Sequence, residues 1–290
     1  MIYITGDTHG KFSKLINKMY FTEDINEFYD IDYKNLTKND YVIICGDFGG
    51  VWRPSISEES LAKEDEIDRY LEILNPDFDW SKECEYEKNI LDGLENLPFT
   101  ILFVTGNHEN YNRLATYPDK EWHGGVVKEI RPHVLLLKRG YVFDIEGYKF
   151  LAMGGARSHD IQSGVFELTD PDIREKIQMY TYFRINELSW WEEEIPSEEE
   201  KQRCIDTLEA NNWAVDFVLT HEAPGYDISN ISFYHRRFKP DSYALWLQEI
   251  KDKLTYKHWF FGHYHEDRSP SHKDHCVYYS MNKLDNYIDN

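Results

Sequence analysis

Five short apolar segments in this chain each end in side chains of the kind that bind metal ions. In the clearest case, the run from Phe99 to Val104 leads into Gly106, Asn107 and His108. Three other segments repeat the order of apolar run, glycine and ligand-type residues, and a fifth lacks only the glycine. These four segments are Ile2 to His9, Tyr41 to Asp47, Trp259 to His265 and Phe217 to His221. Runs this short predict buried strands that carry polar residues at their tips.

The sequence between these strands predicts helices first and antiparallel strands later. Residues 57–97 are acidic and helix-forming, with apolar residues from Leu61 to Leu74 on one side of a first helix. A second helix is predicted over Glu83 to Leu94, and together the two would form a crossover to a parallel strand. Further along, four strands follow, with Glu146-Gly147 as a hairpin turn. A closing strand is predicted over Val277 to Ser280.

The domain organisation follows from length and pattern. The chain has 290 residues, enough to bury a substantial core, and it shows no repeat, low-complexity tract or linker. A second acidic stretch runs from Asp170 to Asn211, with Ser197 as a helix-start signal. We therefore expect a single domain over residues 1–290, with helical insertions at about 55–97 and 160–212. The acidic residues of these insertions are expected to form faces exposed to solvent, and binding of a partner is the alternative role.

The charge balance and hydropathy exclude several classes of partner. With 53 acidic and 32 basic residues, the formal net charge is −21. Such a field repels polyanions, so duplex nucleic acid is a disfavoured partner. No stretch approaches the roughly 20 apolar residues of a membrane helix. The first motif begins at Gly6, so a cleavable signal peptide could be removed only together with that motif. These features predict a cytoplasmic protein with no membrane partner.

The residues at the strand tips form a plausible ligand set for metal ions. They comprise two carboxylates, one amide and four imidazoles: Asp7, His9, Asp47, Asn107, His221, His263 and His265. Seven ligands are too many for one ion and suit two, and mixed nitrogen and oxygen donors favour manganese, iron or zinc over calcium. The four cysteines lack CxxC spacing and are expected to be buried free thiols. Ligands spaced two residues apart would project to one side of an extended backbone.

The tip sequences resemble, in order, the motifs of the calcineurin-like metallophosphoesterase superfamily. The matching blocks are Gly6-Asp7-Thr8-His9, Gly46-Asp47, Gly106-Asn107-His108-Glu109, Thr220-His221-Glu222-Ala223-Pro224 and Gly262-His263-Tyr264-His265. The resemblance spans residues 6–265. It implies an α/β (α+β) fold in which a two-sheet mixed β-sandwich is flanked by helices in four αββα layers. The metals would be held by loops at the strand ends.

The resemblance also implies a role for each matching residue. Asp7, His9 and His265 would hold the first ion, Asn107, His221 and His263 the second, and Asp47 would bridge them. His108 would lie outside the metal shell and assist the leaving oxygen, while Glu109 would orient or tune it. A metal-bridging hydroxide would attack phosphorus directly, because two ions can lower the pKa of water to about 7. Manganese is the favoured metal, with iron or zinc as alternatives.

The expected activity is hydrolysis of a small phosphomonoester or phosphodiester, with a nucleotide as one candidate. A serine/threonine protein phosphatase is the alternative within the same superfamily. Those phosphatases carry arginines where this chain has Phe48 and Thr105, which counts against that alternative. A non-catalytic scaffold is the alternative of another class. Retention of His108 and all seven ligands counts against the scaffold.

Two groups of basic residues are candidates for binding the substrate. Arg157 and His159 follow a predicted strand and could reach a phosphate, or they could belong to a surface loop or a salt bridge. Arg236 and Arg237 belong to the most basic patch of the chain and could bind a second phosphate or a nucleotide. A solvated loop is the alternative for this second group. The sequence leaves both choices open.

Overall fold

The computed structural model describes residues 1–16, 35–231 and 238–288. The strands are β1 (Ile2–Thr5), β2 (Tyr41–Ile44), β3 (Thr100–Phe103), β4 (Asp119–Trp122), β5 (Gly125–Arg131), β6 (Val134–Leu137), β7 (Tyr141–Ile145), β8 (Tyr148–Met153), β9 (Gly164–Phe166), β10 (Phe183–Ile185), β11 (Phe217–Thr220), β12 (His258–Phe261), β13 (Asp274–Cys276) and β14 (Asn282–Lys283). The α-helices are α1 (Ser13–Ile16), α2 (Glu58–Leu61), α3 (Glu66–Tyr70), α4 (Glu85–Glu95), α5 (Tyr111–Thr116), α6 (Ile173–Met179), α7 (Glu198–Ala210), α8 (Gly225–Ile231) and α9 (Ser242–Lys253).

The first sheet has seven strands in the order β14-β1-β2-β3-β6-β5-β4. Its centre is parallel, since β1 pairs with β2, β2 with β3 and β3 with β6 in that sense. The outer strands β14, β5 and β4 are antiparallel to their neighbours. The chain passes from β2 to β3 through α4, which confirms the predicted crossover helix. Strands β1, β2 and β3 are buried along their whole length.

The second sheet has five strands in the order β13-β12-β11-β8-β7. Its strands are parallel except for β7, which forms an antiparallel hairpin with β8. Glu146 and Gly147 form the hairpin turn with φ angles of 55° and 81°. Two successive positive φ values are the signature of a type I′ turn, which matches the twist of the strands. The predicted hairpin is therefore confirmed.

The two sheets pack face to face, and helices cover both outer surfaces. Ile4 and Val104 from the first sheet meet Phe150 and Phe217 from the second in a shared apolar core. Helix α4 packs on the outer face of the first sheet. Helices α7, α8 and α9 pack on the outer face of the second. The arrangement is a four-layer αββα sandwich, as the resemblance implied.

The first of the two helices predicted for the first insertion differs from its prediction because it is not one continuous amphipathic helix. It is divided into α2, α3 and a 3-10 turn over Leu71–Leu74. Ser57 caps α2 and Asp65 caps α3, each by accepting a hydrogen bond from a backbone N–H of the first turn. The second cap, at Asp65, begins a separate helix after α2 has ended at Leu61. Leu61 is consequently 56% exposed instead of sharing one buried stripe.

The predicted closing strand over Val277 to Ser280 is wrong. The backbone amide of Val277 pairs with the carbonyl of Phe261 (2.9 Å), but the next three amides turn towards a side chain. The carboxylate of Asp267 accepts hydrogen bonds from the amides of residues 278–280 at 2.8–3.2 Å. One carboxylate thus replaces a neighbouring strand as the acceptor. The true strands, β13 and β14, flank this loop.

The two insertions pack against each other and share a small apolar core. Ile67 and Ile73 from the first meet Leu168, Ile173 and Ile185 from the second. Strands β9 and β10 form a separate two-stranded parallel sheet within the second insertion. We call residues 56–74 and 164–191 together the cap. Sequence pattern did not predict that segments about one hundred residues apart form one unit.

The helices and the cysteines of the described residues bear on two further expectations. None of its helices has the length and apolar character that a membrane crossing requires. All four cysteines are free thiols, and three of them are buried while Cys84 is half-buried. The predicted free state of the thiols is therefore confirmed.

Candidate metal centre

The loops that follow five parallel strands meet at one end of the sandwich. Asp7 and His9 follow β1, Asp47 follows β2, Asn107 follows β3, His221 follows β11, and His263 and His265 follow β12. Because the carboxyl ends of parallel strands lie along one edge of each sheet, packing the two sheets brings both sets of loops together. Contacts among their side chains place all seven sequence-predicted ligands in this region.

The glycines of the motifs are required by close packing between the loops. A Cβ atom on Gly46 would lie 2.2 Å from Nδ1 of His221, and one on Gly106 would lie 2.1 Å from Oδ1 of Asp47. A Cβ on Gly262 would lie 2.2 Å from Oδ1 of Asp7. No larger residue fits without displacing a ligand side chain. Glycine therefore recurs in these motifs because one loop passes too close to a ligand side chain of another loop to leave room for a Cβ atom.

Four of the side chains form a first cluster, Asp7, His9, Asp47 and His265, with ligand atoms all within 4.8 Å of one another. The Nε2 atoms of His9 and His265 are 2.9 Å apart. Oδ2 of Asp7 lies 3.1 Å from Nε2 of His265 and 3.7 Å from Nε2 of His9. This oxygen is buried and has no hydrogen-bond partner in the described residues. The four side chains thus point their electron pairs at one small volume.

Asp47 also faces a second set of side chains. Nε2 of His221 lies 3.2 Å from Oδ1 of Asp47 and 3.3 Å from Oδ1 of Asn107. The ring of His263 packs at 5.0 Å from the ring of His221. Asp47 therefore contacts both sets through its two oxygens, since its Oδ2 lies 3.6 Å from Nε2 of His9. This is the position expected of a bridging carboxylate.

Hydrogen bonds behind the ligands fix their orientation. Nδ1 of His221 bonds to the carbonyl of Cys45 (2.8 Å), which leaves Nε2 as the electron-pair donor facing the site. Nδ2 of Asn107 donates to Ser158 (3.2 Å), and Ser158 donates to Glu194 (2.7 Å), so the Asn107 oxygen faces inward. Ser158 and Glu194 were not predicted, because nothing in their local sequence marks them as neighbours of Asn107.

The backbone at the ligands departs from the extended conformation that the two-residue spacing suggested. The φ angles are 46° at His9, 47° at Asp47, 71° at His263 and 54° at His265. Left-handed backbone is uncommon for residues with a Cβ atom and costs about 1–3 kcal/mol at each position. The paired ligands are therefore brought together by tight turns and not by strand alternation. Such strain is typical of functional sites that the surrounding structure holds in place.

The buried charges of the site shift the pKa values of its candidate ligands in opposite directions. Burial favours the neutral acid, but His221, His108 and His9 outweigh it and hold the pKa of Asp47 well below its ordinary value. Burial also disfavours the charged form of His221. The neighbouring carboxylates of Asp47 and Asp7 outweigh that effect and raise the pKa of His221 to about 10. A divalent cation would supply the same positive charge.

The residues present fit divalent metal ions. Neighbouring ligands of an ion bound at about 2.1 Å are about 3 Å apart, which matches the spacing of the Nε2 and carboxylate atoms described above. The mixture of imidazole, carboxylate and amide donors suits manganese, iron or zinc. The buried Asp7 oxygen without a hydrogen-bond partner is accounted for by a cation in the first cluster.

His108 lies beside the ligands and is contacted by a residue of the cap. Its backbone N–H donates to Oδ1 of Asp47 (2.8 Å), and its ring packs against the ring of His9 at 5.0 Å. Nη2 of Arg184 lies 3.3 Å from both ring nitrogens of His108. The carboxylate of Asp160 forms an ion pair with the same guanidinium. Burial lowers the pKa of His108, and the charge of Arg184 lowers it further.

Arg184 and Asp160 were missed in the sequence. Arg184 occupies the middle of a three-residue strand, and its sequence neighbours Phe183 and Ile185 indicate only a short apolar segment. Its proximity to His108, 76 residues away, depends on how the second insertion folds back over the sandwich. No local signal could have identified it.

Glu109, which the resemblance implies orients or tunes His108, is hydrogen-bonded to the loop after β2, and the implied role stays a prediction. The Glu109 carboxylate accepts hydrogen bonds from the backbone amides of Phe48 (2.8 Å) and Gly49 (3.3 Å). Burial, and secondarily the charge of Asp47, raises the pKa of Glu109 to about 8. Glu109 therefore fastens the loop that carries Asp47. The His108 ring is contacted instead by the ring of His9 and by Arg184 of the cap.

The four predicted substrate-binding residues differ in their placement. Arg157 is exposed. The ring of His159 packs 4.5 Å from that of His263, and its buried Nε2 has no hydrogen-bond partner in the described residues. Ligand atoms of His159, Glu222 and His263 lie within 4.8 Å of one another. His159 thus lies against the metal centre, whereas Arg236 and Arg237 lie outside the described residues.

The fold and the site together define an αββα sandwich with a metal centre built from loops at its strand ends. The model of the calcineurin-like phosphoesterase family matches residues 1–267, so the chain belongs to that family. A comparison with curated protein sequences gave no match.

The comparison with solved structures found a candidate 5′-nucleotidase from Staphylococcus aureus, crystallised in complex with alpha-ketoglutarate. It is 13% identical to this chain with a TM-score of 0.40, and the match covers 96% of this chain and 48% of that one. This chain thus spans about half the length of that protein.

Proposed function

We propose that the protein is a cytoplasmic metal-dependent phosphoesterase that hydrolyses a small phosphomonoester or phosphodiester, with a nucleotide as a candidate substrate. The observation that carries this proposal is the convergence of six candidate ligand side chains around a seventh, Asp47, with His108 immediately outside them. Two divalent ions, manganese or alternatively iron or zinc, would be held by these ligands. Asp7, His9 and His265 would hold one ion and Asn107, His221 and His263 the other, with Asp47 shared between them.

Bound ions of this kind neutralise phosphate charge and lower the pKa of an attacking water. The protein's own contribution to bond cleavage centres on His108. The attacking water first loses one proton to solvent. As its oxygen then bonds to phosphorus, the bond from phosphorus to the leaving oxygen breaks. A proton from the His108 ring would pass to that leaving oxygen, a contribution of about a hundred- to ten-thousandfold. Asp47 supports this geometry because its Oδ1 accepts the backbone N–H of His108 (2.8 Å).

The protein phosphatase alternative is weakened by two positions. Phe48 is fully buried and stacks on Phe103 in the core, with ring centroids 4.1 Å apart. Thr105 is buried and its hydroxyl accepts a hydrogen bond from Arg139 (3.1 Å). Neither position presents a cation to a phosphate. The scaffold alternative is weakened by the complete set of ligands and by the retention of His108.

The proposal is tested by loading purified protein with manganese, iron or zinc and assaying p-nitrophenyl phosphate and its bis ester. We expect His108→Ala to lower kcat while metal content, measured by mass spectrometry, stays at the wild-type level. The loss should be larger for glycerol phosphate than for p-nitrophenyl phosphate, because an alkoxide needs a proton more than a phenolate does. A protein that binds two ions yet cleaves none of these esters with any metal would be a scaffold.

A further inference from the structure

The cap and the sandwich enclose a cleft that begins at His108. A cavity of about 370 Å³ is lined by His9, Gly49 and His108 at its inner end. A second cavity of about 710 Å³ is lined largely by residues of both insertions. The two cavities have Trp52, Arg53 and Tyr86 in common, so they adjoin each other at these side chains and together make up one region. We call this space the cap cleft.

The outer part of the cap cleft is apolar and rich in rings. Tyr70 from the first insertion and Phe183 and Leu188 from the second line it, opposite Trp52 and Tyr86. Tyr86 is 58% exposed. Large apolar side chains left exposed in a concave site mark a ligand surface more often than a random part of the exterior. The walls of the outer cavity therefore favour an aromatic ring of a ligand over a charged group of a ligand.

Cationic residues lie where the cleft approaches His108. Lys11 lines the inner cavity, and Arg53 lines both cavities, over the ring of Tyr86 with its Cζ 4.7 Å from the ring centroid. Arg184 lines neither cavity, but it lies against His108, which lines the inner one. A molecule with an anionic end and an aromatic end would match this order of charge and apolar surface. Aromatic rings stack on exposed tyrosine and tryptophan faces with a contribution beyond simple burial.

We infer that the cap cleft binds the leaving-group half of the substrate and that this half carries an aromatic ring, as a nucleoside does. The inference rests on the proposed function, in which His108 faces the leaving oxygen, so the group attached to that oxygen extends into the cleft. A short alkyl alcohol would leave most of the outer cavity unfilled. Cavities of several hundred cubic ångströms accommodate ligands of nucleoside size.

The direct test compares two esters with the same reacting bond. Adenosine 5′-monophosphate and ribose 5-phosphate both carry a primary phosphoester, and only the first has a ring system to fill the cleft. With manganese-loaded wild-type protein, we expect kcat/KM to be about 10- to 100-fold higher for the nucleotide. Phenethyl phosphate against ethyl phosphate serves as a second pair that lacks the sugar. A preference in both pairs assigns the effect to the ring, and one confined to the first pair assigns it to a nucleoside.

Variants then locate the preference in the cleft. Phe183→Ala and Tyr86→Ala should each reduce the ratio of the two kcat/KM values towards one. Tyr86 is on α4 of the sandwich and largely exposed, so its truncation does not depend on the folding of the cap. Met179→Ala is the matched control, because Met179 lies on the second insertion, is 71% exposed and does not line the cleft. This control should keep the wild-type ratio.

Binding of adenosine, which has no phosphate, separates this inference from the proposed function. Calorimetry should detect adenosine binding to the metal-loaded wild type and at least tenfold weaker binding to Tyr86→Ala. If no ester is hydrolysed but adenosine binding behaves this way, the proposed function fails and the cleft assignment stands. Equal kcat/KM for both esters in the wild type, absence of adenosine binding, or a preference unchanged in both variants would overturn the inference.

Discussion

His108 and Arg184 meet at the edge of the metal centre although they are far apart in the sequence. The Arg184 guanidinium lies 3.3 Å from both ring nitrogens of His108 and is held by Asp160. A guanidinium fork is well suited to binding phosphate oxygens. Where protein phosphatases of the family's wider class carry arginines, this chain has Phe48 and Thr105. Arg184, from the second insertion, places a cation beside His108.

Replacing Arg184 should weaken phosphate binding without removing the metals. A charge-assisted hydrogen bond contributes about 1.5–3 kcal/mol, so Arg184→Ala should lower kcat/KM by about 10- to 100-fold. Steady-state kinetics and inhibition by inorganic phosphate measure the effect, and Arg184→Lys should restore part of it. Arg174→Ala is the control, since Arg174 pairs with Asp65 and Asp68 elsewhere in the cap. Unchanged phosphate inhibition in Arg184→Ala would contradict a role in binding.

At the scale of single elements, the pairing of β12 with β13 contains a buried histidine pair. Nδ1 of His258 lies 2.9 Å from Nε2 of His275, whose Nδ1 is 2.8 Å from the hydroxyl of Ser269. Burial, followed by the proximity of His258, lowers the pKa of His275 to about 4. When both rings are neutral, they share one hydrogen bond. Protonation of both rings would place two cations side by side.

This pair should make the edge of the second sheet sensitive to acid. The unfolded chain has a histidine pKa of about 6.5, so between that value and about 4 the unfolded state binds more protons than the folded state. Stability should therefore fall as pH falls through this window. His275→Gln keeps a hydrogen-bonding side chain and removes the titration, so its loss of stability between about pH 7 and about pH 5 should be smaller.

Urea unfolding of metal-free protein at the two pH values measures this difference and removes the pH dependence of metal binding. The wild type and His275→Gln share every other titrating group, so their difference isolates His275. Parallel loss of stability in both proteins would show that His275 is not the responsible group.

At the scale of the whole molecule, the cap is a unit with its own core. Ile173 is 1% exposed and packs with Ile67 of the other insertion. The cores of the sandwich are formed by other residues. Separate cores allow a cap to open while the sandwich stays folded, since stability differs between cooperative units of one structure.

Truncating Ile173 should loosen both insertions together. Ile173→Ala removes buried apolar volume, at a cost of about 2–5 kcal/mol to the cap. Hydrogen exchange followed by mass spectrometry should then show faster exchange in residues 56–74 and 164–191, with little change in β1, β2 and β3. Met179→Ala, on the exposed face of the same helix, should leave exchange as in the wild type. A uniform rise across the chain would mean that the cap is not an independent unit.

The side chains that meet at the candidate metal centre could be predicted from the sequence because their signal is local. Each ligand loop follows an apolar strand, and in most cases a glycine stands between them because another loop's ligand occupies the space of a Cβ atom. The turn at Glu146-Gly147 was predictable for the same reason, since two residues alone set its backbone. The strand over Val277 to Ser280 was not, because a distant carboxylate, Asp267, takes the amides that a neighbouring strand would have bonded.

The sequence by itself determined most of the individual strands, the order of the loops with candidate ligands and the chemistry of the donors, because each depends on a few adjacent residues. The two-sheet sandwich was implied by the family resemblance. Only the tertiary structure decided that Glu109 holds the Asp47 loop, that Arg184 lies against His108 and that the two insertions share one core. These contacts join side chains tens to hundreds of positions apart. Burial and ion pairing between residues far apart in the sequence stabilise these contacts, and no pattern of neighbouring residues predicts them.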